Sequence, residues 1–338
     1  MRPPFFQKLF GDPSLIQQAS AALMLDPDSG YVPVDIDLLI PDSTKPFELC
    51  VLLGDQYIPY SGPGECFTES IQRRLHRSGT RTLYVHTRDK AALREYMDQN
   101  LHLVLREPSL AVAAKSRIIH DVCLFQIENL WASPTSPVIE RTKGVVRQTV
   151  DYILFSNREG MEHLVQMLSH EPGICSHSVN VGLLGTILAK EMLGHSDRDL
   201  HQVGYAMFLH DIGKTQVDQR ILTKPGRLSD GEWETMRLHP RMGHQILLQE
   251  GHMTPEASIT TLQHHERCNA KGYPSGLNSQ EIDILGKICN LADSFDALLA
   301  KRSYKAALTP FQALEIMKNE MQGQFDQELF RRFICLLR

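Results

Sequence analysis

Seven residues in the C-terminal half of the chain have side chains that bind divalent metal ions, and they recur at similar intervals. They are His177, His210, Asp211, His239, His264, His265 and Asp293. The gaps between successive positions or pairs correspond to about one helix plus one loop, which is the spacing expected when each helix of a bundle directs a ligand toward a common centre. Five imidazoles and two carboxylates suit two divalent cations better than one. Because no thiolate belongs to the set, iron, manganese and zinc are the candidates.

The local motifs around these residues strengthen the assignment. A lone histidine is more often a core or surface residue than a ligand, and adjacent histidines at a helix end also interact favourably with the helix dipole. Here residues 210–214 read HDIGK, which places a ligand pair and a lysine around a glycine turn. Residues 264–266 read HHE and are followed by GYP at 272–274. The co-occurrence of these motifs favours a metal site over unrelated histidines.

The elements that must position these residues are predicted to be helices. From residue 109 onward, helical periodicity replaces the strand signals, and an all-α bundle follows. Ser229 with Glu232 forms a capping box, while Thr254-Pro255 and Thr309-Pro310 each place an N-cap before a proline at the first helical position. We expect His239 to close one of these helices. The predicted helices are 109–131, 139–155, 175–193, 197–212, 229–238, 241–249, 255–266, 280–300, 310–321 and 326–337.

The N-terminal part is predicted to be a small α/β domain over residues 1–106. Strand signals lie within 32–40, within 47–60 on either side of Gly54-Asp55, and at 82–85, whereas 68–78 and 89–100 are predicted helices. This part contains only isolated histidines and no group of residues typical of catalysis. Regulation or binding of a protein partner is therefore the expected role. Residues 107–150 are predicted to be a helical connector to a C-terminal domain at 151–338.

The composition of the chain excludes several classes of protein. Among 338 residues, 42% are hydrophobic and 22% are charged, which is typical of globular proteins. The net charge of −5 disfavours binding to a nucleic-acid duplex but allows a small basic pocket for a nucleotide. No apolar run approaches the ~18 residues of a membrane span, and the N-terminus lacks a continuous signal-peptide core, so a cytoplasmic protein is expected. The seven cysteines form no CxxC pair, which predicts reduced thiols.

Taken together, these segments resemble the HD-GYP family, a subgroup of the HD phosphohydrolase superfamily whose members typically hydrolyse the bacterial second messenger cyclic di-GMP. The resemblance runs from about residue 151 to the C-terminus. Besides the HDIGK and HHE–GYP segments, it includes His177, His239-Pro240 with Gly243, Asp293 with Asp296, and the RSYK stretch at 302–305. The HDIGK segment alone would indicate only the superfamily. The resemblance implies an all-α HD-type bundle, and thus a two-domain α+β chain.

The resemblance also implies a role for each residue. One metal ion would be held by His177, His210, Asp211 and Asp293, and the other by His239, His264 and His265, with Asp211 as the bridge. Iron or manganese is favoured, with zinc, nickel or magnesium as alternatives. Lys214 would lie over the scissile phosphate and act in catalysis with Asp211, and the substrate contacts would be Lys214, Tyr273, Asp296, Arg302 and Lys305. A hydroxide shared by the two ions would attack phosphorus in line and give linear pGpG and/or GMP.

The chain departs from the family pattern at two places. Asn269-Ala270 stands where the family has Asp-Gly, and Gly173 stands where some members have a glutamate that recruits a third metal ion, so two ions are predicted here. One alternative is a degenerate member that senses cyclic di-GMP or docks a partner without hydrolysis. Another is an enzyme for a different cyclic dinucleotide or a phosphomonoester. The sequence does not define the oligomeric state and is compatible with a homodimer.

Overall fold

The computed structural model describes residues 30–107, 110–168, 173–194, 199–300 and 308–337. The chain divides into two compact units, the first ending at Val122 and the second beginning at Cys123. The predicted fold class is confirmed in its broad form, because the structure is mostly helical with a small antiparallel sheet in the first unit. The predicted boundaries after residues 106 and 150 stay a prediction.

The first unit is built around a four-stranded sheet in the order β1-β6-β3-β4, in which every pairing is antiparallel. Strands β2 and β5 pair separately. Its elements are β1 (Tyr31–Asp35), β2 (Ser43–Thr44), β3 (Leu49–Leu53), β4 (Gln56–Ser61), β5 (Cys66–Phe67), α1 (Glu69–Arg77), β6 (Thr82–His86) and α2 (Lys90–Arg106). Gly54-Asp55 forms the two-residue connection of the β3–β4 hairpin, and Gly54 has the positive φ of 61° that such turns favour.

The first predicted strand is shorter than its apolar run indicates. It ends at Asp35, whose carboxylate accepts a hydrogen bond from the backbone N–H of Asp37 at 2.9 Å. This cap starts a short 3-10 helix, Ile36–Leu38, with Ile36 and Leu38 buried. The short β2–β5 ladder was not predicted, because two-residue strands leave no periodic signal.

The second unit is helical, as predicted. Helix α3 (Val112–Ala132) runs into it from the first unit. The remaining helices are α4 (Ser136–Phe155), α5 (Arg158–Gln166), α6 (Ile174–Leu193), α7 (Leu200–Phe208), α8 (Gln219–Leu222), α9 (Asp230–Met236), α10 (His239–Gln249), α11 (Pro255–Gln263), α12 (Ile284–Leu299), α13 (Pro310–Asn319) and α14 (Gln327–Leu336). Helices α5 and α8 were not predicted. Across the described ranges, no helix is long and apolar enough to cross a membrane.

Helix α6 is the centre of the second unit. It is buried continuously from Ser178 to Ala189 and packs against α7 and α12. A Cβ atom added at Gly182 would lie 2.5 Å from the ring of Phe208, so α6 and α7 approach more closely than any side chain at this position would permit. This packing fixes the first turn of α6, which carries His177.

The predicted capping signals are confirmed. Ser229 and Glu232 form a reciprocal capping box at the start of α9. Thr254 caps α11, and Thr309 caps α13 in a second capping box with Gln312. All three helices begin within one residue of the predicted position.

Several predicted helix bounds are wrong, and three of them involve candidate ligands. Helix α11 ends at Gln263 rather than at residue 266, so His264 and His265 follow it instead of ending it. Helix α7 ends at Phe208 and a 3-10 turn, Ile212–Gln216, follows it; part of the predicted start at 197 lies outside the described residues. His239 does not close α9 but begins α10. Helix α12 starts at Ile284 rather than 280 because the Asp283 side chain accepts a hydrogen bond from the backbone N–H of Leu285.

Candidate metal centre

The seven predicted ligands converge in the middle of the second unit. His177 lies in the first turn of α6, His210 and Asp211 in the turn after α7, His239 at the start of α10, His264 and His265 directly after α11, and Asp293 in the middle of α12. They form two groups, and within each group the ligand atoms lie within 4.8 Å of one another. These are Asp211, His239, His264 and His265 in one group, and His177, His210 and Asp293 in the other.

Asp211 lies between the two groups, and its two carboxylate oxygens face different imidazoles. Oδ2 is 3.4 Å from Nε2 of His210 and 3.5 Å from Nε2 of His177. Oδ1 is 3.2 Å from Nε2 of His239 and 3.5 Å from Nε2 of His264. One buried carboxylate therefore contacts both groups, which is the geometry of a shared ligand.

Three of the imidazoles are oriented by backbone carbonyls behind them. Nδ1 of His210 is 2.9 Å, and Nδ1 of His239 is 2.7 Å, from the carbonyl three residues earlier. Nδ1 of His264 is 3.0 Å from the carbonyls of both Thr260 and Thr261. A carbonyl accepts only, so each Nδ1 holds the proton and each Nε2 is left with a lone pair directed at the centre.

The atoms at the centre need a positively charged partner. Nε2 of His239 and Nε2 of His264 are 3.1 Å apart, although neither can donate when Nδ1 carries the proton. Within the part of the chain that the structure describes, Nε2 of His210 and Oδ1 of Asp211 are buried without a hydrogen-bond partner. Buried polar atoms seldom stay unsatisfied in folded proteins. Lone pairs that face one another across a buried centre fit a divalent cation.

The protonation states suit metal binding. Burial lowers the pKa of His210, lowers that of His239 to about 4, and lowers that of His265 well below its usual value, so these rings are neutral at neutral pH. Burial opposes ionisation of Asp211, but Lys214 and His210 together hold its pKa well below the usual range. Neutral imidazoles and an ionised carboxylate are the forms that coordinate cations.

His177 differs because carboxylates lie on both sides of it. Its Nδ1 is 2.7 Å from Oδ2 of Asp296, and its Nε2 is 3.0 Å from Oδ1 of Asp293. Burial alone would lower the pKa of His177, but Asp293 and Asp296 raise it to about 10. The two carboxylates thus favour a positive charge at this imidazole, supplied either by a proton or by a metal ion between Nε2 and Asp293.

Three residues that sequence reasoning gave no role support the ligands from behind. Asn180 donates to Oδ1 of Asp296 at 2.7 Å, which fixes the carboxylate that orients His177. Asn290 donates to the carbonyl of His264 at 2.8 Å. Their spacing within α6 and α12, three residues from a ligand, is the signal that could have identified them. Asp296 lies against His177, and its predicted contact with a substrate stays a prediction.

The third such residue is Glu266, which holds the loop that contains GYP. Its buried carboxylate accepts hydrogen bonds from the backbone N–H groups of Ser275 at 2.6 Å, Gly276 at 3.1 Å and Leu277 at 2.9 Å. The loop is thereby held so that the ring of Tyr273 stacks on the ring of His265, with 4.7 Å between centroids. Tyr273 forms a wall of the metal centre.

The HDIGK turn touches the start of α10 through backbone atoms. A Cβ atom added at Gly213 would lie 1.9 Å from the carbonyl oxygen of His239, so only glycine fits there. The next residue, Lys214, donates a hydrogen bond from Nζ to Oδ2 of Asp211. The motif therefore places an ammonium group directly on the shared carboxylate.

The departures from the family pattern can also be placed. Ala270 has a φ of 58°, in the left-handed region that favours glycine. Asn269 accepts a hydrogen bond from the backbone N–H of Lys271 at 3.2 Å, so it keeps the turn that an aspartate would form. Arg302 and Lys305 lie outside the described residues. All seven cysteines are free thiols, as predicted.

Comparison with known proteins gives a consistent result. Residues 162–329 match the model of the HD domain family. The chain is 37% identical over 161 residues to a 3′3′-cGAMP-specific phosphodiesterase of Vibrio cholerae, an alignment that covers 47% of this chain and 34% of that protein. It is also 36% identical over 171 residues to a cyclic di-GMP phosphodiesterase of Pseudomonas aeruginosa, and this alignment covers 51% of this chain and 41% of that protein. The chain thus spans less than half the length of these relatives.

A solved structure shares the fold. It is Bd1817, a HDG"Y"P protein from Bdellovibrio bacteriovorus, with a TM-score of 0.63 and 20% sequence identity, and the match covers 91% of this chain and 99% of that one. The chain belongs to the HD domain family, and its HDIGK and HHE–GYP segments place it in the HD-GYP group.

Proposed function

We propose that this protein is a metal-dependent phosphodiesterase that hydrolyses cyclic di-GMP to linear pGpG and/or GMP. The observation that carries the proposal is the position of Asp211, whose two oxygens face two separate groups of imidazoles. The names of the relatives, which are phosphodiesterases of cyclic di-GMP and cGAMP, support the substrate class.

The two groups suggest how the ligands are shared between two metal ions. His177, His210 and Asp293 would hold one ion, His239, His264 and His265 would hold the other, and Asp211 would contact both. A set of nitrogen and oxygen donors without sulfur fits iron or manganese. Bound divalent ions would supply the Lewis acidity that makes water nucleophilic near neutral pH.

The protein's own residues position the reaction around this centre. Lys214 lies on the open side of Asp211 with 17% of its side chain exposed, so its ammonium group can reach a phosphate that approaches the ligands. A fixed positive charge there stabilises negative charge that develops on phosphoryl oxygens. Tyr273 covers His265 and restricts the approach of water on that side. The carbonyls behind the histidines keep each Nε2 available to a cation.

A second candidate substrate is 3′3′-cGAMP. It is favoured by the similarity to the Vibrio cholerae phosphodiesterase specific for that compound. The candidate metal ligands and Lys214 would act on phosphorus and do not distinguish guanine from adenine. Both cyclic dinucleotides therefore belong in the same assay.

The test compares hydrolysis and metal content in matched variants. The full chain would be loaded with iron(II) or manganese(II) without oxygen, and products of cyclic di-GMP and 3′3′-cGAMP would be separated by chromatography. Asp211→Asn should lose turnover and bound metal, because both groups lose their shared ligand. His244→Ala is the control: it lies on α10 like His239, but its Nε2 contacts Ser258 at 3.1 Å.

Each outcome bears on the proposal. Wild type and His244→Ala should bind about two ions per chain by elemental analysis and turn over at similar rates. Full turnover by Asp211→Asn would refute the assignment of the shared ligand. A wild-type protein that holds both ions and binds cyclic di-GMP without cleaving it would be a sensor rather than an enzyme.

A further inference from the structure

A half-exposed tryptophan lies beside the metal centre, outside the groups proposed to act on the phosphate. Trp233 on α9 is 47% exposed. Its ring centroid is 6.1 Å from that of Tyr273, at an interplanar angle of 75°, and Tyr273 in turn stacks on His265. Only one aromatic ring therefore separates Trp233 from a candidate metal ligand.

Arg237 lies four residues after Trp233, at the C-cap position directly after α9. Its guanidinium carbon is 5.0 Å from the centroid of the Tyr273 ring. Arg241, in the first turn of α10, donates from Nη2 to the carbonyl of Pro274 at 3.5 Å. Indole, guanidinium and phenol thus form one continuous wall, and Arg237 remains exposed on it.

This combination matches the chemistry of a nucleobase. Exposed aromatic rings beside a cationic surface stack on bases, and arginine donates two hydrogen bonds to O6 and N7 of guanine. In a cyclic dinucleotide each base is joined through one ribose to the phosphate. A phosphate at the metal centre therefore places a base about one ring beyond the ligands. Trp233 lies at that distance, since the ring of Tyr273 separates it from His265.

We infer that Trp233 and Arg237 form a purine-binding subsite at the mouth of the metal centre, in which Trp233 stacks on a base and Arg237 donates to the guanine edge. This inference rests on the proposed function, because it assigns the nucleobase part of the same substrate. Both are positioning residues, since neither contacts the atoms that react.

The first test separates base recognition from the chemistry. Trp233→Ala should lower kcat/KM for cyclic di-GMP about 10-fold or more, mainly through KM, because a stacking surface is lost. Hydrolysis of bis(4-nitrophenyl) phosphate, which carries no purine, should remain within about twofold. Trp233→Phe should retain most of the activity on cyclic di-GMP. Leu248→Ala on α10 is the control. Because this leucine is 60% exposed, its replacement should change the hydrolysis of neither substrate.

The second test reads the subsite directly. The chain has two tryptophans, so Trp131→Phe leaves Trp233 as the only indole. On rapid mixing with cyclic di-GMP, its fluorescence should be quenched before turnover. Arg237→Met should weaken binding of cyclic di-GMP about 10-fold and binding of cyclic di-AMP by much less, because adenine has the N7 acceptor but an amino donor in place of O6.

The outcomes distinguish this inference from the proposed function. A wild-type protein that cleaves neither cyclic dinucleotides nor the nitrophenyl ester would refute the phosphodiesterase. If wild type cleaves cyclic di-GMP and the nitrophenyl ester but Trp233→Ala loses the two activities equally, Trp233 has only a structural role and the subsite is wrong. Unchanged kcat/KM for cyclic di-GMP in Trp233→Ala, without quenching in Trp131→Phe, would also overturn the subsite and leave this wall as a surface for another protein.

Discussion

Replacing Glu266 with glutamine tests how the loop that carries Tyr273 is held at the metal centre. The carboxylate accepts three backbone hydrogen bonds, two on Oε1 and one on Oε2. Glutamine has the same shape but only one acceptor oxygen. If that oxygen faces Ser275 and Gly276, those two bonds become neutral and weaken by roughly 1 kcal/mol each. The amide nitrogen then faces the N–H of Leu277, and the buried unpaired donors cost about 1–3 kcal/mol.

The expected total loss is therefore about 3–5 kcal/mol, a large share of the stability of a typical domain. Urea unfolding followed by tryptophan fluorescence measures this loss of stability in the unit that contains Glu266, because Trp131 and Trp233 both lie in the second unit. Glu281→Gln is a matched control in the same loop region. Its exposed carboxylate accepts one hydrogen bond, from the N–H of Asn278 at 2.9 Å. The free energy of unfolding of Glu281→Gln should therefore fall by less than about 1 kcal/mol.

The comparison of these two variants decides the question. If Glu266→Gln and Glu281→Gln lose the same small amount of stability, the three hydrogen bonds do not hold the loop. A large loss of stability in Glu266→Gln, accompanied by a higher KM for cyclic di-GMP, would show that the loop and Tyr273 are positioned by this carboxylate.

Three further outcomes are expected. Lys214→Met should lower turnover by roughly 100-fold at unchanged metal content, whereas Lys224→Met should not; equal losses in affinity and rate would mean that Lys214 only binds the substrate. Gly213→Ala should destabilise the second unit by more than about 3 kcal/mol because its Cβ would overlap a backbone carbonyl, whereas Gly231→Ala, with open space around its Cβ, should be neutral or stabilising in urea unfolding. Ala270→Gly should stabilise by about 0.5–1 kcal/mol because it relieves a positive φ; a loss of stability would contradict the strain.

Much of the metal centre could be predicted because its signals are local. The capping residues Ser229, Thr254 and Thr309 define helix starts through hydrogen bonds within one turn, and the structure confirms them. The seven candidate ligands could be selected because their residue types and spacing stand out from the surrounding helices, and the structure brings their side chains together. These features depend little on long-range packing.

Other features depend on contacts between distant segments, which the sequence does not display. The helix predicted to reach residue 212 ends at Phe208, because His210 and Asp211 must turn toward the centre and Gly213 must meet the backbone of His239. The role of Asn180 becomes visible only once α6 and α12 are side by side. Trp233 was missed for the same reason, since its position beside Tyr273 follows from the packing of the GYP loop.

The contact between Gly213 and the carbonyl of His239 has a consequence for how this centre could change during evolution. Two ligand-bearing segments meet there through main-chain atoms, with no side chain between them that substitution could lengthen or shorten. The separation of Asp211 and His239 is therefore a property of the backbone. A descendant protein that uses another metal ion would have to exchange donor atoms, for example an imidazole for a carboxylate, since this part of the centre leaves no room for gradual adjustment of its width.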